Sequence, residues 1–481
     1  MKRLYVYPEK YRLEEIPLHG STIRRIGLLA LFLAVFAGGC AARMEQPGFE
    51  SVQETVADRT AMNLHWHDDL IADEQTADAI SEMLRQPLTS DTAAQIALLN
   101  NRRIQAVYRD LEISQADLIQ AGLLSNPLFD ASVLFPVNNG NTEINLGIRL
   151  QFLEIFMLPL RKRVGQSQFE ETKARVSSRV MALAYATRIA FFQAEADNRR
   201  LKLQKQSLLT AELSDEFAQR LLDAGNITEL QRHEERDRYE MSKLKLRRAE
   251  TSAFKSRETL NRLMGLWGDE IHWEFDNQSP YPESFEWEDG TAQPDLTSRA
   301  IKASLDLEII RHRIVTIGHR LGVDNATTLI PTLDLGVEAE RNGDWALGPS
   351  LAIPIPLFDR GQARLARTRA ELRRQQEHYT DLTVQLRSRV RENIEQLHSS
   401  GDIARYYRNV VLPLRTRIVN ETQLQYHAMR VGPLALLLAK DREFEAEMEY
   451  ISAVENYRVT RTRLEQLMSG VIPGHANEAD W

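Results

Sequence analysis

The sequence predicts a mainly α-helical chain with a small transmembrane β part, built as a duplicated helix-strand-strand-helix-helix repeat. Three observations lead there. Apolar residues keep a helical period over stretches far longer than a globular domain needs, four short segments alternate apolar and polar residues, and landmarks recur about 200 residues apart in the 481-residue chain.

Residues 1–39 have the parts of a lipoprotein signal: the basic pair Arg24-Arg25, an apolar run from Leu28 to Phe36, and Ala37-Gly38-Gly39 before Cys40. The apolar run is shorter than the ~20 residues a membrane-spanning helix needs. The segment resembles the bacterial lipobox, which implies cleavage before Cys40 and lipidation of its thiol, with palmitate among the acyl groups. Ala41 rather than aspartate follows, which in that resemblance directs the protein to the outer membrane. The charges of both signs before Arg24 leave open a true start downstream of Met1. Residues 40–90 read as a polar, lipid-anchored segment with few periodic signals, long enough to run down the outside of a barrel.

Two repeats follow, over residues 91–265 and 294–470. The first begins at the capping candidates Thr89 and Ser90, and its opening helix carries Ile96, Leu99, Val107 and Leu111 on to Leu118. Its counterpart starts near Asp295 and carries Ile301, Leu305, Ile309 and Ile317. Very long helices come after the strands, with Val176, Val180, Leu183, Ala190 and Ala194 on one face in the first repeat and Leu365, Leu372, Leu386, Val390 and Leu397 in the second. Pro413 is expected to interrupt the second of these, and Gly225 and Gly432 to supply the positive φ of two hairpin tips. Pro159 and Pro356 lie 197 residues apart, Gly225 and Gly432 207, and the Leu-Met pairs at Leu263 and Leu467 204, as a duplication would leave them.

The strands are expected at about 128–135, 143–153, 331–340 and 345–355. Ile144, Leu146, Ile148, Leu150 and Phe152 alternate with Asn145, Gly147, Arg149 and Gln151, and the other three segments follow the same dyad. This is the signature of a transmembrane β-barrel, but four strands are too few to close one, so oligomerisation must supply the rest. Residues 266–293, rich in Trp, Glu, Pro and Asp, read as a linker between repeats, and 471–481 as a disordered tail.

Composition excludes several functions. Cys40 is the only cysteine, so there is no internal disulfide framework or thiolate metal site. A net charge of −8 argues against nucleic acid as a partner. No nucleophile-base pair or phosphate-cradling loop emerges, so neither an enzyme nor a cofactor is expected.

From about Thr89 to Gly470 the chain resembles the TolC-type outer-membrane efflux proteins, in their lipid-anchored form. The resemblance rests on Ala97 to Asn101, Asn126-Pro127, the run from Ile353 to Gly361, Tyr407 to Pro413, Tyr426 to Gly432, and Leu464 to Leu467. It implies a homotrimer with an α-helical tunnel in the periplasm and one shared 12-stranded β-barrel. The tips, at Gly225-Asn226 and Val431-Gly432-Pro433, would dock a membrane-fusion adaptor and, through it, an inner-membrane pump. The chain would then be a passive exit duct in the outer membrane for small molecules or metal ions. Residues 266–293 would form an equatorial collar.

The gate departs from the family pattern. Where family members carry a tyrosine, an arginine and two acidic residues, this chain has Met429, Leu434, Leu438 and Asp441. An apolar constriction at Leu434 and Leu438 is the physical alternative to an ionic latch.

Three further clusters stay open. Asp441, Glu443, Glu445, Glu447 and Glu449 are either a solvated helix face or partly lumen-facing charge. His65-Trp66-His67-Asp68-Asp69 offers two histidines one residue apart, but with no evident third ligand it reads as linker and no metal site is assigned. His312 and His319 read as helix surface or core edge. The competing function is a pore-less periplasmic coiled-coil lipoprotein acting as a scaffold, which shares the helices but not the membrane strands.

Overall fold

In chain order the elements are α1 (Phe49–Thr60), α2 (Leu70–Arg85), α3 (Ser90–Asn100), α4 (Arg102–Ala121), β1 (Leu128–Leu134), β2 (Glu143–Gln151), α5 (Leu153–Asp223), α6 (Glu229–Met264), α7 (Gln293–Ala303), α8 (Leu305–Ala326), β3 (Asp334–Asn342), β4 (Asp344–Ala352), α9 (Gln362–Tyr406), a π-helical turn over Tyr407–Val411, α10 (Leu412–His427) and α11 (Pro433–Met468). The computed structural model describes residues 48–67, 70–138, 141–276, 293–328 and 332–474. The signal segment, Cys40 and residues 277–292 of the expected linker lie outside them.

α5 is the spine. Its 71 residues give a rod of roughly 105 Å at about 1.5 Å per residue, against which α1, α3, α4, α6, α8 and α11 all pack. Small residues make this possible: Ser177, Ser178, Ala182, Ala184 and Thr187 are buried along its middle and let neighbouring helices approach closely. The helix starts at Leu153, directly after β2, and takes Pro159 into its second turn, which costs the helix the one bond an N–H there would give the Ile155 carbonyl. Pro356 instead lies in the connection between β4 and α9, so these two prolines are not structural equivalents. Pro413 interrupts as expected, sitting at the N-terminus of α10 just after the π-helical turn that re-routes the freed carbonyls.

The opening helix of each repeat is broken where the periodicity alone predicts one helix. Asn101 caps α4, its carboxamide oxygen accepting from the Arg103 N–H at 2.9 Å while its Nδ2 donates to the Leu263 carbonyl at 2.8 Å. Ser304 does the same at the start of α8, accepting from the Leu307 N–H at 3.2 Å. Competition from these short polar side chains for backbone N–H groups ends a helix that hydrophobic pattern would continue.

The end of each repeat then locks onto its own break. α6 and α11 finish in left-handed glycines, Gly265 (φ 72°) and Gly470 (φ 100°), 205 residues apart. The 6→1 bonds Leu266 N–H to Asn261 C=O and Val471 N–H to Gln466 C=O complete matching caps. Gly265 lies against the Asn100 carbonyl, which a Cβ would approach to 2.9 Å, and Gly470 lies against the Ala303 carbonyl. Leu305 N–H donates to the Gly470 carbonyl, and Arg59 Nη1 bridges the Ala303 and Ser469 carbonyls at 2.8 and 2.9 Å.

Two expectations are corrected at the chain's edges. The segment before Ser90 is not merely a polar tether: Phe49, Val52 and Val56 of α1 and Met62, Leu64 and Trp66 beyond it are buried in the largest apolar cluster, with α3, α4, the middle of α5 and the end of α6. The tail does not leave the fold at Val471, since Val471 and Ile472 are buried and the Ile472 N–H donates to Asp306 at 3.0 Å. Residues 266–276 of the expected linker likewise contribute core, with Trp273 buried and its Nε1 donating to Asn261 at 2.8 Å.

The strands form one antiparallel sheet in the order β1-β2-β3-β4, so the two repeats meet at the β2–β3 pair. β3 runs two residues past its expected end, to a tight turn at Gly343, and β4 stops at Ala352 because Pro354 and Pro356 cannot extend the ladder. Among the described residues no helix is long and apolar enough to cross a membrane.

The glycines give a graded stability test. Gly470→Ala should cost more than about 3 kcal/mol, because strained φ and a backbone clash coincide. Gly225→Ala, with φ 72° but open space, should cost about 1 kcal/mol, and Gly432→Ala, which strains nothing but weakens an N-cap, about 0.5 kcal/mol. Chemical denaturation of the three variants checks the order.

Candidate functional site

The sheet has two chemically different faces. Phe129, Ile148, Val337 and Pro349 share one row across the four strands, and Ala131, Leu146, Ala339 and Leu347 the next row on that face. The other face carries Asp130, Gly147, Glu338 and Gly348, then Ser132, Asn145, Glu340 and Ala346. Asp130 and Arg149 pair on it, Arg149 Nη2 lying 3.1 Å from Asp130 Oδ1. Among the described residues no helix covers the apolar face: Phe129, Ile148, Val337, Leu347 and Leu351 are each more than half exposed. Trp345 and Phe135 lie at the turn end of this apolar band, and Phe156 and Phe358 beyond its helix end.

The β1 and β4 edges have no strand partner among the described residues. Each therefore offers a row of backbone donors and acceptors.

At the far end of the helices are the two tips. In the α5–α6 hairpin, Gly225 takes φ 72°, the Asn226 N–H closes on the Leu221 carbonyl at 2.8 Å, and Thr228 forms a capping box with Gln231. In the α10–α11 hairpin the left-handed residue is Met429 (φ 57°), with the Arg430 N–H closing on the Gln425 carbonyl. Gly432 is extended (φ −79°) and stands as the N-cap of α11, with Val431 before it and Pro433 in the first turn. The expectation of positive φ at Gly432 is thus corrected: the tip follows the duplication, and Met429 is 204 residues from Gly225. Met429 is almost fully exposed.

Leu434 and Leu438 are half-buried, one turn apart on α11. Asp441 is directed toward α5, accepting from Ser207 Oγ at 3.1 Å. Below it the α5–α11 seam alternates apolar and charged contacts. Ala196, Leu203, Phe444 and Ile451 form an apolar cluster, flanked by Arg458–Glu195 at 2.6 Å and by Arg200 on Glu455 and Ser452. The acidic stretch divides accordingly. Glu443 is buried, accepting from Thr416 Oγ1 at 2.8 Å and paired with Lys440, whereas Glu445 and Glu449 are exposed.

Glu235 on α6 is the odd carboxyl of this region. Its side chain is buried, with Arg238 3.2 Å from one oxygen and no hydrogen bond to the other. Burial pushes its pKa up; Arg238 opposes this, and the charges of Glu234, Asp215 and Asp441 add to the rise. His312 sits half-buried beside Glu308, and His319 is half-buried too, so both stay at the helix surface.

Chains of known structure share this architecture. CusC, described with conformational changes that accompany folding and transmembrane channel formation, superposes with a TM-score of 0.65 at 16% identity, covering 79% of this chain and 92% of its own. The CmeC outer-membrane channel of Campylobacter jejuni gives 0.65 at 14%, covering 82% and 91%. The open-state MtrE outer-membrane channel of Neisseria gonorrhoeae gives 0.60 at 16%, covering 80% and 89%. In sequence, the cobalt-zinc-cadmium resistance protein CzcC of Cupriavidus metallidurans is 22% identical over 399 residues, 79% of this chain and 90% of that protein. No protein-family model matches the chain. The fold is that of the TolC-type outer-membrane efflux channels.

Because folded Glu235 holds its proton more tightly than the unfolded chain does, its contribution to stability is lost as pH rises and the carboxylate ionises. Glu235→Gln should therefore raise the thermal midpoint at pH 8 and give no gain near pH 4. Calorimetry at the two pH values checks this, and an equal gain at both would contradict it.

Proposed function

We propose that the chain is the outer-membrane exit duct of a tripartite efflux system, a passive conduit rather than an enzyme. The carrying observation is the sheet: one face apolar and uncovered, the other polar, both edges open, and helices of roughly 100 Å hanging from it. Three copies would close twelve strands into a barrel, placing the apolar face on lipid and the Asp130–Arg149 face on the lumen. Exposed apolar residues along the distal helices, among them Leu209, Leu230, Leu244, Ile403, Leu414 and Leu424, supply the contacts that neighbouring copies would cover.

In this reading lipidation at Cys40 adds an anchor. The tips at Gly225-Asn226 and Val431-Gly432-Pro433 meet a periplasmic adaptor, through which an inner-membrane pump delivers cargo. The name of the CzcC relative makes cobalt, zinc and cadmium ions the first cargoes to test. Leu434 and Leu438 form the narrowest ring, closing the lumen by dewetting rather than by a charged latch; Asp441, held by Ser207, is a weaker candidate for that role.

Purified protein in planar bilayers should form heat-sensitive trimers with discrete conductance steps. A monomer that stays water-soluble once its lipid is removed would favour the scaffold reading instead. Ile148→Arg should destabilise the assembled barrel by about 2–4 kcal/mol per chain near the bilayer midplane. Arg149→Ala, which opens an exposed ion pair, should cost less than about 1 kcal/mol. Shrinking Leu434 and Leu438 together to alanine should raise resting conductance. Unchanged conductance with lost efflux would move their role to adaptor docking.

A further inference from the structure

The histidine pair that sequence leaves without a third ligand acquires one in the fold. The stretch over 62–67, whose burial alternates residue by residue, is held to the helices by two glutamines that each make paired bonds to its backbone. Gln95 accepts from the Asn63 N–H at 3.1 Å and donates to the Asn63 carbonyl at 2.9 Å. Gln105 accepts from the His67 N–H and donates to the His65 carbonyl, both at 2.9 Å. Between the histidines, Trp66 is buried against Phe49 and Tyr108. With alternate residues on opposite sides of this stretch, burial of Trp66 turns His65 and His67 together to the other side. There Asp73, in the first turns of α2, meets both: its Oδ1 lies 2.9 Å from His65 Nε2 and 2.9 Å from His67 Nδ1.

Those two contacts are not alike. His65 Nε2 donates a hydrogen bond to the carboxylate. His67 Nε2 lies 3.0 Å from the Leu99 carbonyl, which can only accept, so Nε2 carries a proton; in the neutral imidazole Nδ1 then presents a lone pair. Nδ1 is buried and makes no hydrogen bond, despite its closeness to Asp73. A lone pair facing a carboxylate oxygen is repulsive unless a proton or a metal cation lies between them. The three ligand atoms all fall within 4.8 Å of one another. Tetrahedral zinc, with bonds near 2.1 Å, asks for ligand separations of about 3.4 Å, so shifts of about half an ångström to an ångström in the side chains would seat it. The carbonyl behind His67 is the usual outer partner that fixes a metal-binding tautomer.

We propose that His65, His67 and Asp73 bind one divalent transition-metal ion, with zinc the best fit to two imidazoles and a carboxylate, and that the ion clips the start of α2 to the 62–67 stretch. Water or another ligand completes the coordination. On binding, the His65 proton moves from Nε2 to Nδ1, freeing Nε2 for the metal. The site is structural and independent of whether the chain conducts, and Gln105 is a positioning residue for it.

The test uses untagged full-length protein in detergent, stripped with a chelator and titrated calorimetrically with zinc chloride, with cobalt(II) absorption as a second readout. Expected are one high-affinity zinc per chain, a rise in thermal midpoint on loading, and a visible cobalt spectrum of a nitrogen- and oxygen-ligated site. His65→Ala, which leaves the His67–Leu99 bond in place, should weaken zinc binding about tenfold or more and abolish that spectrum, and Asp73→Asn should do likewise. Gln105→Ala should weaken affinity less while keeping the spectrum. No stoichiometric binding by the wild-type protein, or binding unchanged in His65→Ala and Asp73→Asn variants that retain wild-type helicity, would overturn the assignment.

Discussion

Unpaired backbone groups at the two edges of the sheet are the constraint on which the rest of this structure depends. A single chain leaves one side of β1 and one side of β4 without a strand partner among the described residues. In hydrocarbon each unsatisfied N–H or C=O costs several kcal/mol, so an uncovered apolar sheet is compatible with a membrane only when its edges close on other strands. The sheet's two-faced chemistry says what closure would separate, with Ile148, Val337 and Leu347 toward lipid and Asp130, Arg149 and Glu338 toward water. In the proposed duct, assembly and membrane insertion are one requirement rather than two.

The long helices transmit that requirement into the rest of the fold. Duplication supplies two helical arms, and each is closed by the same device, a left-handed glycine seated on the carbonyl that ends its own opening helix. The arms are joined to one another along α5 and α11 by buried ion pairs such as Arg458–Glu195 set among small apolar contacts. Such pairs specify register more than they add stability, since desolvation offsets much of their attraction. A seam of this kind holds the arms in one alignment while leaving the tips, with few buried residues, as the part of the bundle with least packing to resist movement.

Much of this architecture is legible in the sequence, for identifiable reasons. The strand dyads appear directly because one face must be apolar and the other polar, and the sheet's register keeps every such alternation from Phe129 to Leu351. The extent of the helices follows from sustained periodicity. What periodicity does not carry is competition by single polar residues: Asn101 and Ser304 break helices whose apolar stripes run on without a gap. Nor does composition identify the left-handed tip residue, because Met429 takes the role that Gly225 takes in the first repeat. The packed N-terminal segment was encoded by Val52 and Val56 one turn apart and by Leu64 and Trp66 two apart, signals too short to stand out. Asp73 meets the histidines only in the folded chain, a relation that spacing in the sequence does not contain.

The central claim is that β1 of one copy pairs with β4 of the next, and disulfide trapping tests it most directly. Ser132→Cys on β1 would be combined in turn with Ala346→Cys, Gly348→Cys or Ser350→Cys on β4, all on the polar face. A disulfide forms only when Cα atoms come within about 7 Å, so trapping reports strand adjacency itself. One register should give covalent species that end at three chains and disappear on reduction. Chains that remain monomeric under oxidation in every combination, or a ladder that continues past three, would contradict the closed threefold barrel.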